Sequence, residues 1–264
     1  MPAQNKTLQY MTARDSTEHN SAEPLAECLY YEERETTMAK KDIITLETLK
    51  TERISLTLVG TSDLILNKKA RSFERAELFK QNSPKGTKLP AELTQPYCLW
   101  EKLCTSVTWE KPIEFFDSDW TQYTEEYWQK LMQENRPCIL NRAFTGSFKE
   151  TFITFYKELT GKTGADFSRA VNVVNIKTPV DFASVTYSQH LTPNNSVNHT
   201  NVVAQYNIFS GWSCELEIEY VSSVFPRDTL IEIVNSAGMF IGIGTRRAEG
   251  YGRYKVNGVS VIGG

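Results

Sequence analysis

Histidine is scarce in this chain: His19, His190 and His199 are the three among 264 residues. None stands at a spacing that would pair it with another histidine or a cysteine on a metal. The five cysteines, Cys28, Cys98, Cys104, Cys138 and Cys214, contain no Cys-x-x-Cys pair, which excludes a zinc ribbon and a thioredoxin-type redox motif. An odd number of thiols without a framework reads as reduced cysteines in a cytoplasmic protein. Long apolar runs are missing too. Nothing approaches the roughly 18 residues that cross a bilayer, and the opening MPAQNKTLQYMTARD has no secretory apolar core, so no membrane association is expected. Positive charge is also short: the formal net charge is -3, against a duplex-DNA binder working by bulk electrostatics. No Ser-His-Asp set or P-loop occurs, and no cofactor is expected.

Aromatic residues are plentiful, with 13 Phe, 12 Tyr and 5 Trp. Aromatics can stack single-stranded bases without a strongly basic surface. Residues 1–50 read as a polar, flexible tail whose second half is acidic at Glu32, Glu33 and Glu35. Residues 51–264 read as one domain with an aromatic-rich insertion at about 80–140.

Ile54, Leu56 and Leu58 alternate with polar neighbours as a first strand, broken at Gly60. Lys68, Lys69, Arg71 and Arg75 follow as a basic stretch. In the insertion, the pattern predicts a helix over 119–134 capped by Ser118. Trp120, Tyr123, Tyr127 and Leu131 share one face, suited to a core or to base stacking. A second helix is predicted over 147–159, with Ser147 and Glu150 as a capping box and Gly161 as its stop. Residues 162–169 read as a linker, 170–176, 180–187 and 202–208 as strands, and 188–201 as a polar loop. Over 212–220, Trp212, Cys214, Leu216, Ile218 and Tyr220 alternate with Ser213, Glu215, Glu217 and Glu219, giving a strand with one acidic face unsuited to a phosphate backbone. Asp228 is placed as the cap of a helix over about 229–238. The order fits an α+β, ferredoxin-like sandwich: an antiparallel sheet with two packed helices and a large insertion.

After that helix come Gly242, Gly244, Arg246, Arg247, Gly250, Tyr251, Gly252 and Arg253 in one short run. Glycines let backbone amides approach a phosphate, arginines offer planar forks, and Tyr251 and Tyr254 offer rings for stacking. The same run also reads as a tight helix-to-strand connection with solvated arginines. A dinucleotide fingerprint is unlike it, because here the glycines follow a helix and precede a strand. The run resembles the glycine-rich loop of the RAMP superfamily, RNA-binding proteins that form CRISPR effector backbones, and is similar to phage-encoded proteins sharing the backbone-subunit fold. Leu56 to Lys69 resembles their first strand and following loop, Phe144 to Val174 their first helix and second strand, and Trp212 to Val256 their final strand–helix–loop–strand unit.

The resemblance implies single-stranded RNA binding of the RNA-recognition-motif type. The expected site is the glycine-rich run with Lys68 and Lys69. Two alternatives stand beside it. One is a protein-interaction or assembly module, such as a defence-complex inhibitor or a self-stacking homo-oligomer. The other is a ribonuclease using Asp63, which follows the first strand as an aspartate does in some RAMP enzymes, or His190. A non-catalytic protein is the expectation.

Overall fold

A computed structural model describes residues 49–90, 93, 95–193 and 201–262, with the backbone alone at 190–193 and 201–203. The expectation of a flexible tail lies outside the described residues, apart from Leu49 and Lys50.

The first strand, β1 (Thr51–Gly60), buries Ile54, Leu56 and Leu58 completely. It lies between two antiparallel partners, β9 (Ser213–Val221) and β10 (Tyr254–Ile262). A bulge between Thr57 and Leu58 shifts the β10 register. Beyond β9 the sheet continues through β5 (Val171–Val173) and β6 (Lys177–Asp181). It ends with β4 (Pro137–Leu140) and β3 (Thr108–Trp109). All these pairings are antiparallel. Strands β10, β1, β9 and β5 lie side by side in that order, with β10 at the sheet edge; by chain order these four rank last, first, third and second.

The alternation expected over 212–220 is present: Cys214, Leu216, Ile218 and Tyr220 are buried, and Ser213, Glu215, Glu217 and Glu219 face the other way. The buried face is covered by α4 (Asn141–Thr151), which continues through a π-helical turn, Phe152–Tyr156, into α5 (Lys157–Thr160). α6 (Gly164–Ala170) and α7 (Arg227–Ser236) complete the cover, α7 running into a second π-helical segment, Ala237–Ile241. Phe144, Phe148, Phe152, Leu230, Ile233 and Val234 form the helix side of the core.

Several local expectations are corrected. Ser147 is not a cap. It lies inside α4, and its hydroxyl donates to Gly242 O at 2.9 Å. The capping box is instead at Thr163 and Asp166, which reciprocate bonds at the start of α6, so the expected linker is largely helix. α3 (Glu125–Glu134) is capped by Thr124, not Ser118, and Trp120–Gln122 forms a separate 3-10 turn. Asp228 sits in the first turn of α7, after Pro226. There it favours the helix dipole without capping.

A second sheet holds β2 (Leu64–Leu66), β8 (Asn201–Ser210) and β7 (Ser184–Pro193) in the order β2-β8-β7. Much of the expected polar loop 188–201 is therefore strand. Its polar residues are paired across the hairpin, as Ser188 with Tyr206 and Gln189 with Gln205. α1 (Arg71–Asn82) leads into the insertion, which supplies α2 (Leu99–Thr105) and α3. Its aromatics mainly pack on the core: Trp109, Tyr123 and Trp128 are buried, Trp100, Phe116 and Tyr127 are partly buried against them, and Phe115 and Trp120 are exposed. The Trp128 indole donates to Asn207 Oδ1 at 2.9 Å, and Asn207 Nδ2 donates to Leu103 O at 2.8 Å, pinning the insertion to β8.

No helix among the described residues is long and apolar enough to cross a membrane.

Candidate nucleic-acid interface

The glycine-rich run joins the π-helical end of α7 to β10. Its shape depends on residues in the left-handed region. Gly242, Gly244, Gly250 and Gly252 have positive φ, and Arg246 does too at 60°. Two glycines are also fixed by close approach. A Cβ on Gly244 would stand 2.5 Å from Ile65 O, and one on Gly252 would overlap the Ile243 carbonyl.

The run is bolted to the turn after β1. Thr245 N donates to Ile65 O at 2.9 Å, and Gly252 N donates to Asp63 O at 2.8 Å. Ser62 Oγ donates to Gly250 O at 2.8 Å and accepts from Arg253 N at 2.9 Å. The Trp212 indole closes the junction on Ser62 O at 2.8 Å. Ile243 N and Gly250 N donate within the run. Much of the backbone donor capacity is thus spent on the chain itself, and the outward chemistry comes from side chains.

Those side chains are cationic. The Arg246 guanidinium lies 5.1 Å from the centroid of the Tyr206 ring on β8. It also grips both Glu249 oxygens, at 2.9 and 2.8 Å. Arg247 reaches Glu150 on α4 at 3.1 Å. Arg253 donates through Nη2 to Arg247 O at 3.3 Å, while its buried Nη1 has no hydrogen-bond partner. Tyr251 is half-buried, and Tyr254 is fully buried beside Trp212, where it is unavailable for stacking.

Lys68 and Lys69 follow β2. Lys68 lies three positions beyond Ile65, roughly 10 Å of extended chain, so the lysines follow the short strand on which the run is anchored through Thr245. Lys68 is half-buried, and burial holds its pKa below the ordinary lysine value, with Lys177 adding a smaller like-charge effect. Lys69 lies 5.2 Å from the Phe73 ring centroid. Sequence reasoning missed Lys102, whose ammonium donates to Asn67 Oδ1 at 3.0 Å. Only the fold of the insertion brings α2 to this edge.

The opposite sheet face has a different character. Glu215, Glu217 and Glu219 stand in a row across from Thr57, Ser55 and Arg53. Asp63 is exposed, and its backbone carbonyl holds the run. The His190 side chain lies outside the described residues. Among the described residues no group of three His, Cys, Asp or Glu converges as a metal site. Cys98, Cys104, Cys138 and Cys214 are free thiols. Burial pushes Cys138 up to about 11 and Cys214 up to about 12, so both stay protonated at neutral pH.

No family model matches the chain, and no curated protein matches it. Among solved structures it is similar to a chain of the cryo-EM structure of the Type III-B Cmr-beta bound to cognate target RNA, with 11% identity and a TM-score of 0.40 over 81% of this chain. The match spans 61% of that longer chain. It is also similar to the crystal structure of Cmr6 from Pyrococcus furiosus, with 8% identity and a TM-score of 0.34, covering 79% of this chain and all of that one. At such levels of likeness, the fold of this chain is defined by its own strand order and register: mixed α/β, with helices packed on an antiparallel sheet.

Proposed function

We propose that the chain is a non-catalytic, single-stranded RNA-binding protein of RAMP type on a ferredoxin-like scaffold. The last–first–third–second order of β10, β1, β9 and β5 supports the scaffold. The observation that carries the binding role is the rigid glycine-rich run. It holds Arg246 over Tyr206, ties Arg253 to the Arg247 carbonyl and is anchored through Thr245 to the strand that leads to Lys68 and Lys69. Arginine forks suit phosphates and base edges. The glutamate row argues that RNA lies along the loop edge and not across the sheet, where an RNA-recognition motif would carry it.

Fluorescence anisotropy with labelled single-stranded RNA at several salt concentrations tests this reading. Wild-type protein should bind with a steep salt dependence. Losing two phosphate contacts in the Arg246→Ala, Arg247→Ala double variant should reduce the log–log salt slope by about 1.4. Undiminished binding in that variant removes the loop as the site. RNA left intact after long incubation with and without divalent metal is the expected outcome for a non-catalytic protein.

One observation favours a second reading, a protein-interaction module. Ile153, Phe155, Leu159, Met239 and Phe240 are exposed large apolar residues on and beside the two π-helical segments, and the Phe155 and Phe240 rings are 5.3 Å apart. Such clusters mark partner surfaces. Absence of RNA binding, together with self-association lost in Phe155→Ser, Phe240→Ser, decides for it.

A further inference from the structure

A cleft of about 370 Å³ opens between α4, α6 and the start of β5. Arg142 and Lys149 stand on its α4 side, Gly146 lies between them, Ser168 faces them from α6, and Phe148 and Phe167 form the floor. Its volume is in the range of small-ligand pockets, roughly 300–1,000 Å³. No carboxylate lines it, in a chain with 32 Asp and Glu against 29 Lys and Arg. Elsewhere the arginines are largely met by acids, as Arg71, Arg75, Arg136, Arg246 and Arg247 are. Among the described residues neither Arg142 nor Lys149 has an ion-pair partner. They are seven positions apart, about two helical turns, and so project from one face.

Gly146 adds a second, independent observation. Glycine inside a helix weakens it, and internal packing does not require one here, because a Cβ at this position meets nothing within 4 Å. The glycine leaves an opening between two cations. The rings of the floor are buried, Phe148 completely and Phe167 at 2% exposure, so they offer no face for a base to stack on.

We propose that this cleft binds a phosphate ester, with Arg142 and Lys149 as its cationic arms and the space over Gly146 receiving the phosphate oxygens. Guanidinium and ammonium donors form short charge-assisted bonds to phosphate, and no lining carboxylate opposes the anion. The recognised chemistry is the phosphate, presented by a free nucleotide or by the 5′ end of an RNA. This site is independent of the loop and does not rest on the RNA-binding reading.

Backbone amide NMR on the full chain tests it, with adenosine 5′-monophosphate as probe and adenosine as control. The monophosphate should shift the Gly146 and Ser168 amides, and adenosine should not. Arg142→Gln, Lys149→Gln should weaken the monophosphate at least tenfold without changing the melting temperature. The titration should be unaltered in Arg246→Ala, whose carboxylate partner Glu249 lies in the loop and not on α4, which separates this site from the loop. A 5′-phosphorylated trinucleotide that binds more tightly than the monophosphate assigns the phosphate to RNA, and equal affinity assigns it to a free nucleotide. Equal shifts from adenosine, no shift at millimolar monophosphate, or an unchanged titration in the Arg142 and Lys149 variant overturns the proposal.

Discussion

At the scale of single residues, the junction between the first turn and the glycine-rich run depends on side chains far apart in sequence. Gly60 shows how tight it is, because a Cβ there would run into the Trp212 indole. Gly60→Ala should cost about 1–3 kcal/mol through overpacking, read as a lower denaturation midpoint with an altered tryptophan emission. Asn207 is a different case. It is fully buried, accepts from the Trp128 indole and donates to Leu103 O. Asn207→Ala strands both partners and should destabilise by about 1–3 kcal/mol; Asn207→Asp, which keeps the acceptor, should restore none of the bond to Leu103 O. Neither role could be read from sequence. Gly60 was visible as a strand breaker, but its neighbour is over 150 positions away, and nothing local marks Asn207 as a buried staple within a strand.

At the scale of elements, α1 is held by charge. Arg75 and Glu101 form a buried pair at 2.6 Å, and Asp117 reaches both Arg75 at 3.3 Å and Arg71 at 2.7 Å. The hydrogen bond from Arg71 is the main reason the Asp117 carboxyl is held below the usual carboxylate range. A depressed folded pKa gives stability that is present above the unfolded value, near 3.9, and lost as pH falls through the folded one. Acid should therefore loosen α1 below about pH 4. Asp117→Asn should flatten that part of the pH–stability profile, measured by denaturant midpoints from pH 6 to pH 2. In α4, Gly146→Ala should raise stability by roughly 0.5–1 kcal/mol, because the added methyl meets open space.

Element type was legible where one face repeats, as in β1 and β9, whose alternation reports burial directly. Boundaries were not. Ser147 with Glu150 and Thr163 with Asp166 carry the same four-residue signal, yet only the second is a cap. Ser147 is taken by Gly242 O, a contact that exists only once the sheet has closed. The strands read over 180–187 and 202–208 caught the base of the β7–β8 hairpin, but its continuation through 188–193 was hidden, because a polar stretch paired across strands leaves no apolar period to read.

At the scale of the whole molecule, charge is arranged by face even though the total is slightly negative. The composition argued against bulk electrostatic binding, and the acidic alternation read over β9 is present as a row of glutamates on one sheet face. The basic edge escaped sequence reading in part, because Lys102 and Lys177 join Lys68 and Lys69 only through the insertion and β6. If RNA follows the loop edge, neutralising the sheet face with Glu215→Gln, Glu217→Gln should change its affinity by less than about threefold, a loss or gain of under 1 kcal/mol. Anisotropy against the wild type checks this.

The position of β1 has a consequence for synthesis. This strand is made well before both its neighbours, β9 and β10. About 150 residues separate the end of β1 from the first residue of β9, which is roughly 8–30 s of translation at ordinary rates. Ile54, Leu56 and Leu58 therefore spend that interval as an apolar strand without its sheet partners. Pulling the nascent chain from stalled ribosomes should find β1 protease-sensitive until β9 has emerged, and the yield of folded protein should depend on holdase chaperones that shield it.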